Sequence, residues 1–143
     1  MDYSIGVVFA TRPNLKNLQS ILSSLAEQTY QNFKVYVLID QKITRKEFDE
    51  IQKASLVWLK NIQDKVKFVS NISNPDFRGE HNVSYIRNYG LKIAKEDFIQ
   101  IFDDDEVFQK DYLHSMLNFW LDEFNKREKD FVLVPTILFR DTN

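Results

Sequence analysis

Four consecutive carboxylates, Asp103-Asp104-Asp105-Glu106, follow directly on the apolar run Phe98–Phe102 (FIQIF). Like charges this close repel one another unless something neutralises them. A hard divalent cation is the natural neutraliser: Mg2+ or Mn2+ takes one or two carboxylates and fills its other positions with water and phosphate oxygens. In an extended segment alternate residues face the same way, so Asp103 and Asp105 are expected to face one ligand and Asp104 to face elsewhere. The same run also reads as a solvated acidic turn that caps a helix beginning near Asp111. A calcium loop of the EF-hand type is excluded, because Phe108 stands where that loop needs a glycine. Spacing alone leaves both remaining readings open.

The elements that must position this cluster alternate strand and helix. Ile5–Ala10 (IGVVFA) is a continuous apolar run of strand length, which suits a strand buried on both faces. Leu15, Leu18, Ile21, Leu22 and Leu25 then recur at helical spacing, with Pro13 as an entry signal. Phe33–Ile39 is a second strand ending at Asp40. Thr44 and Glu47 form a T-x-x-E capping box that opens a helix carrying Phe48, Ile51, Trp58 and Ile62. Val66–Val69 is a short third strand, followed by a polar loop. Val83, Ile86, Gly90 and Ile93 pattern a third helix, and Phe98–Phe102 is the fourth strand. A fourth helix from about Asp111 buries Leu113, Met116, Leu117, Trp120, Leu121 and Phe124. Phe131–Phe139 reads as a last strand, with Pro135 requiring an edge or a bulge. Strands alternating with helices imply βαβ units, hence one α/β layer structure with a mostly parallel sheet. In such sheets ligands bind beyond the carboxyl ends of the strands. The residues to watch are therefore Thr11-Arg12, Asp40, Ser70-Asn71 and Asp103 to Glu106. Trp58 and Trp120 are core by period, and His81 and His114 read as solvent-facing.

Composition removes several classes. In 143 residues, 43% hydrophobic and 14% aromatic content excludes disordered and collagen-like chains. The 19 basic and 21 acidic residues are scattered along the chain, so no nucleic-acid footprint appears. The absence of cysteine excludes a disulfide scaffold, a thiolate zinc site and a cysteine nucleophile. No apolar stretch approaches the roughly 20 residues of a membrane span, and the first residues lack a basic signal region. A cytoplasmic location is expected.

Two segments carry a family resemblance. SLAEQTYQNFKVYVLID (Ser24 to Asp40) resembles the S-L-x-x-Q-T-Y-x-N-F-E element and following strand of family 2 glycosyltransferases. VSYIRNYGLKIAKEDFIQIFDDDE (Val83 to Glu106) resembles that family's V-S-x-A-R-N-x-G block and its D-x-D-D strand end. Their order and separation match as well, and the likeness runs from about Ile5 to Leu121. The resemblance implies a GT-A fold, a Rossmann-like α/β/α sandwich whose strand ends hold a nucleotide-diphosphate sugar. It implies that Asp105 ligates the Mn2+ or Mg2+ that bridges the diphosphate. Asp103 would contact ribose or sugar beside the same metal, with Asp104 among the substrate-binding residues. Asp40 would hydrogen-bond the base, with UDP the expected nucleotide. Thr11 would lie beside the nucleotide, and Arg87 near the diphosphate or donor sugar. The implied reaction is inverting transfer of the sugar to an acceptor hydroxyl on a glycan, lipid or protein.

The chain also departs from that pattern. Arg12 replaces a frequent aromatic, and a guanidinium can likewise stack on a base. Ile39-Asp40-Gln41-Lys42 replaces D-D-G-S, and Ile86 replaces the small residue before Arg87. The family's acceptor-binding half and catalytic base follow the metal strand. Residues 1–143 are therefore expected to form a single GT-A-like nucleotide-sugar-binding domain lacking that half, with no residue assigned as base. The rival reading is a non-catalytic nucleotide-sugar-binding or interaction module. A nucleotidyltransferase would want a Gly-rich phosphate loop after the first strand, which FATRPNL lacks. An apolar face left where the missing half would pack would favour homo-oligomers.

Overall fold

A computed structural model describes residues 2–72 and 83–126. The described elements are β1 (Ile5–Thr11), α1 (Leu15–Ala26), β2 (Phe33–Ile39), α2 (Arg45–Leu59), a 3-10 turn (Gln63–Lys65), β3 (Val66–Val69), α3 (Val83–Ile93), β4 (Phe98–Asp103) and α4 (Tyr112–Lys126). The four strands form one sheet in the order β3-β2-β1-β4, and every pairing is parallel. This is the α/β layer structure expected from the alternating pattern. The proposed strand over Phe131–Phe139 lies outside the described residues, as do His81 and the loop before α3.

The continuous apolar runs are explained by burial on both faces. Val7 and Phe9 of β1 enter the larger core with Val35 and Val37 of β2, against α1 and the Leu113, Leu117 and Trp120 side of α4. Val8, Tyr36 and Leu38 point the other way, into a smaller core with Ile86 of α3 and Ala94. Each CH2 group taken from water in these layers contributes about 0.8 kcal/mol, which is why period-2 alternation is absent from β1 and β2.

Local signals act much as read, with differences that bear on the site. Thr44 and Glu47 close the capping box at the start of α2. Asn14, rather than Pro13, caps α1, its side chain accepting from the Asn17 amide at 3.1 Å. Leu15 is consequently half-exposed rather than part of the buried stripe. Trp120 is core, whereas Trp58 only packs against the core's edge. β1 and β4 each run one residue beyond their apolar stretch, to Thr11 and Asp103. Thr11 pairs with Ile39, and Asp103 with Ala10, because the ladder's backbone bonds are indifferent to side-chain polarity.

Gly90 sets how closely α3 approaches the sheet. A Cβ there would lie 2.5 Å from Val8 Cγ1 and 2.7 Å from Leu38 Cδ1. Only glycine permits this contact, and it brings Arg87, one turn earlier on α3, towards the end of β4. At the edge of the same face, Asn71 sits at φ 54° just beyond β3. Its side-chain amide closes two 3.1 Å bonds with the backbone N–H and C=O of Ile43. Asparagine tolerates that left-handed conformation better than most residues.

Candidate nucleotide and metal cleft

Beyond the carboxyl ends of β1, β2 and β4 lies an open cleft of about 380 Å3. Its polar wall is Arg12, Asp40, Arg87, Asp103, Asp104 and Asp105, and Ala10 and Val83 supply the apolar part. Six of the seven residues to which the family resemblance or its departures gave a role thus line one space, whereas Ser70, Asn71 and Glu106, marked by the strand ends, are not among its lining. The seventh, Thr11, is 1% exposed and lies beneath the cleft, its hydroxyl 2.7 Å from Asp104 Oδ2 and 2.9 Å from the Arg12 carbonyl. With one proton it serves one acceptor at a time, so Thr11 braces the acidic loop from below.

The loop itself departs from the alternation argument. The chain leaves extended geometry at Asp104-Asp105, which form a turn. The Glu106 amide donates to the Asp103 carbonyl at 3.2 Å, and the Asp103 amide donates to Glu106 Oε2 at 3.2 Å. A turn, unlike a strand, does not send alternate side chains to opposite faces, so Asp103, Asp104 and Asp105 all reach the cleft. Asp103 is ion-paired with Arg87 across its wall. Asp104 is held by Thr11. Asp105 is exposed and has no hydrogen-bond or ion-pair partner among the described residues.

Glu106 was visible only as the end of the acidic run, yet it closes the turn. Burial pushes its carboxyl up from the ordinary value. The Asp103 amide opposes that shift, while the Asp103 and Asp105 charges add to it. Asp40 is 7% exposed, and its amide bonds the Thr11 carbonyl at 2.8 Å, fixing the end of β2 against β1. Arg87 Nε is buried and has no partner among the described groups. The unused donor faces the cost of an unmade hydrogen bond.

Four carboxylates face two guanidinium groups across this cleft. A diphosphate would meet net repulsion there unless a cation entered with it. Among the described residues no three His, Cys, Asp or Glu side chains gather as a metal cage. Mg2+ and Mn2+ bind through one or two carboxylates with water and phosphate completing the shell. The oxygen-only donors fit such an ion, with Asp105 the carboxylate most available to it. Among the described residues no helix is long and apolar enough to cross a membrane.

A search of curated proteins found no match. Solved structures do match. The crystal structure of S. aureus TarS is 25% identical with a TM-score of 0.60, covering 85% of this chain and 20% of TarS. S. aureus TarS 1-349 in complex with UDP-GlcNAc is 24% identical, with a TM-score of 0.61 over 85% of this chain and 32% of that one. The mannosyltransferase PcManGT from Pyrobaculum calidifontis, in complex with GDP-Man and Mn2+, is 19% identical, with a TM-score of 0.56 over 76% of this chain and 29% of that one. The chain thus spans a third or less of the length of these structures, and shares with them the GT-A layer of parallel strands. The family model for glycosyl transferase family 2 matches residues 4–126. That match covers most of the chain, and the chain belongs to glycosyl transferase family 2.

Proposed function

We propose that the cleft binds a nucleotide-diphosphate sugar, with UDP the expected nucleotide, together with Mn2+ or Mg2+. The protein then transfers the sugar to an acceptor hydroxyl with inversion. The observation that carries this is the convergence of Asp40, Arg12, Arg87 and the Asp103–Asp105 turn on one cleft at the carboxyl ends of three parallel strands.

Each residue has a chemical task there. Asp40, buried at the end of β2, offers an acceptor for the N–H of a base, and Arg12 offers a flat cation to stack on it. Asp105, with Asp103 beside it, would hold the metal. When bound, that ion supplies positive charge where the diphosphate leaves. Arg87 adds a guanidinium directed by its pairing with Asp103, placed where negative charge develops as the glycosidic bond breaks. Thr11 holds Asp104 so that the turn keeps its shape without substrate.

Thermal unfolding of the 143-residue chain with UDP, GDP, CDP or ADP, each with Mn2+, Mg2+ or EDTA, tests the proposal. Ligand at about 100 times its Kd adds about 2.7 kcal/mol. At ~2–4 °C per kcal/mol that raises the midpoint by several degrees. The expected result is a shift with one nucleotide that requires the metal. Folded protein unmoved by every nucleotide would overturn it. Binding with neither donor hydrolysis nor transfer would replace the enzyme with a non-catalytic nucleotide-sugar-binding module.

A further inference from the structure

The S-L-x-x-Q-T element lies in α1 and just after it, on the opposite side of the acidic turn from α3, and nothing in the cleft chemistry uses it. Gln28 is 2% exposed, and a buried primary amide is costly unless its hydrogen bonds are made. Its side chain makes three. The Nε2 group donates to the Ser24 carbonyl at 3.2 Å and to the Gln109 carbonyl at 2.6 Å. Its Oε1 accepts from the Leu113 amide at 3.0 Å. Turning the amide over would set N–H against N–H and oxygen against two carbonyls, so the surroundings dictate its orientation.

The neighbours continue the seam. Ser24 Oγ accepts from the Phe108 amide at 3.2 Å while donating to the Ile21 carbonyl at 2.8 Å. The Thr29 amide donates to the Lys110 carbonyl at 2.8 Å. Four of these contacts, to Phe108, Gln109, Lys110 and Leu113, land on the backbone of the stretch that carries the chain from the acidic turn into α4. Leu113 is the second residue of α4, whose first amides have no partner within their own helix. Gln28, two residues beyond the end of α1, therefore caps α4 from outside that helix. The Phe108 ring packs edge-on against Phe102 of β4, with centroids 4.4 Å apart, and anchors the same stretch on its apolar side.

We infer that Gln28 and Ser24 are positioning residues that hold the acidic turn in shape for the metal–nucleotide complex, by tying its exit to α1. The turn is fixed at its entry by β4 and by Thr11. Apart from the α1 seam, the described contacts from this stretch to β4 are made by side chains: the Phe108 and Tyr112 rings against Phe102, and the Gln100 amide on the Tyr112 hydroxyl at 2.7 Å. The inference rests on the nucleotide-sugar reading of the cleft.

The test pairs each seam variant with a core variant elsewhere: Gln28→Ala with Leu59→Ala, and the milder Ser24→Ala with Ile62→Val. Leu59 and Ile62 are buried far from the acidic turn in sequence and are not part of the cleft. Each folded variant of the full chain is titrated with UDP in Mn2+, below its melting transition, and amide exchange is followed by NMR. The expected result is faster exchange across Asp104–Leu113 and roughly tenfold weaker Mn2+-dependent binding in Gln28→Ala, with a smaller loss in Ser24→Ala. The core variants should melt earlier yet bind as wild type does. If Gln28→Ala does not fold, Ser24→Ala alone decides. Wild-type affinity in the folded seam variants, or equal losses in the core variants, would overturn the inference while leaving the cleft reading standing. Failure of the wild-type chain to bind any Mn2+–nucleotide would overturn both.

Discussion

β1 and β4 lie side by side, and carboxylates stand at both ends of the pair. At the amino end, Asp97 Oδ2 accepts from the Ser4 amide at 2.8 Å and the Ser4 hydroxyl at 2.9 Å, and the Asp97 amide returns a bond to Ser4 Oγ at 3.0 Å. The Phe98 amide closes on the Ser4 carbonyl at 3.1 Å. That carboxylate is answered by the protein itself. At the carboxyl end, Asp103 and Asp104 are answered by Arg87 and Thr11, but Asp105 has no such partner among the described residues. On the proposed function, the difference separates a carboxylate that locks two strands from a cluster left for a ligand. A fold can spend a residue on its own stability or leave it for a ligand, and β1 and β4 do one at each end.

Asp105→Ala breaks the comparison most strongly. Donor hydrolysis or transfer should fall at least about a hundredfold, as when a charge-stabilising contact is removed from a reacting centre. Without ligand, Tm should hold or rise, because one of four like charges is gone. A large loss of Tm would mean that Asp105 is structural, like Asp97.

Gly90→Ala attacks the helix that serves the carboxyl end. The new methyl group meets Val8 and Leu38, so the helix must shift or the core must open. The expected cost is about 1–3 kcal/mol, or several degrees of Tm. Nucleotide binding should weaken too, because Arg87 moves with α3. Unchanged Tm would show that α3 is less tightly seated than the contacts indicate.

Asp97→Asn sharpens the contrast with the smallest effect. The Ser4 amide and hydroxyl hold the Asp97 carboxyl below the usual value. A depressed folded pKa gives stability that is present above the unfolded value and lost as pH falls through the folded one. The variant should therefore melt below wild type at neutral pH, and the two should converge in strong acid. Nucleotide affinity should not change. A difference in Tm that persists in acid would separate the Ser4–Asp97 bonds from the carboxylate's charge.

Much of this arrangement was legible before the structure. β1 and β2 announce themselves because burial on both faces leaves room for a single charged residue, Lys34, in the two strands. β4 announces itself by the abruptness with which FIQIF meets four acids. The strand ends therefore marked Arg12, Asp40 and the acidic run correctly as neighbours. What stayed hidden was pairing. Thr11 and Asp104 are 93 positions apart, and nothing in either residue's type says that the first will lie under the second. Extended alternation was the wrong rule for Asp104 and Asp105, because the Asp103–Glu106 bonds turn the chain just where the apolar run stops. Gln28 stood in the sequence only as one letter of the S-L-x-x-Q-T-Y element, and its bonds towards α4 depend on contacts 81 and 85 residues away.

The central contrast has a direct measurement. β1 has seven residues, which at about 3.3 Å each puts its two ends roughly 20 Å apart. Mn2+ is paramagnetic, so adding traces of it with UDP to the labelled chain broadens amide signals near the bound ion. Binding at the carboxyl end predicts that Asp103 to Glu106, with Thr11, fade first while Ser4 and Asp97 stay sharp. Equal broadening at both ends, or loss centred on Ser4 and Asp97, would contradict it.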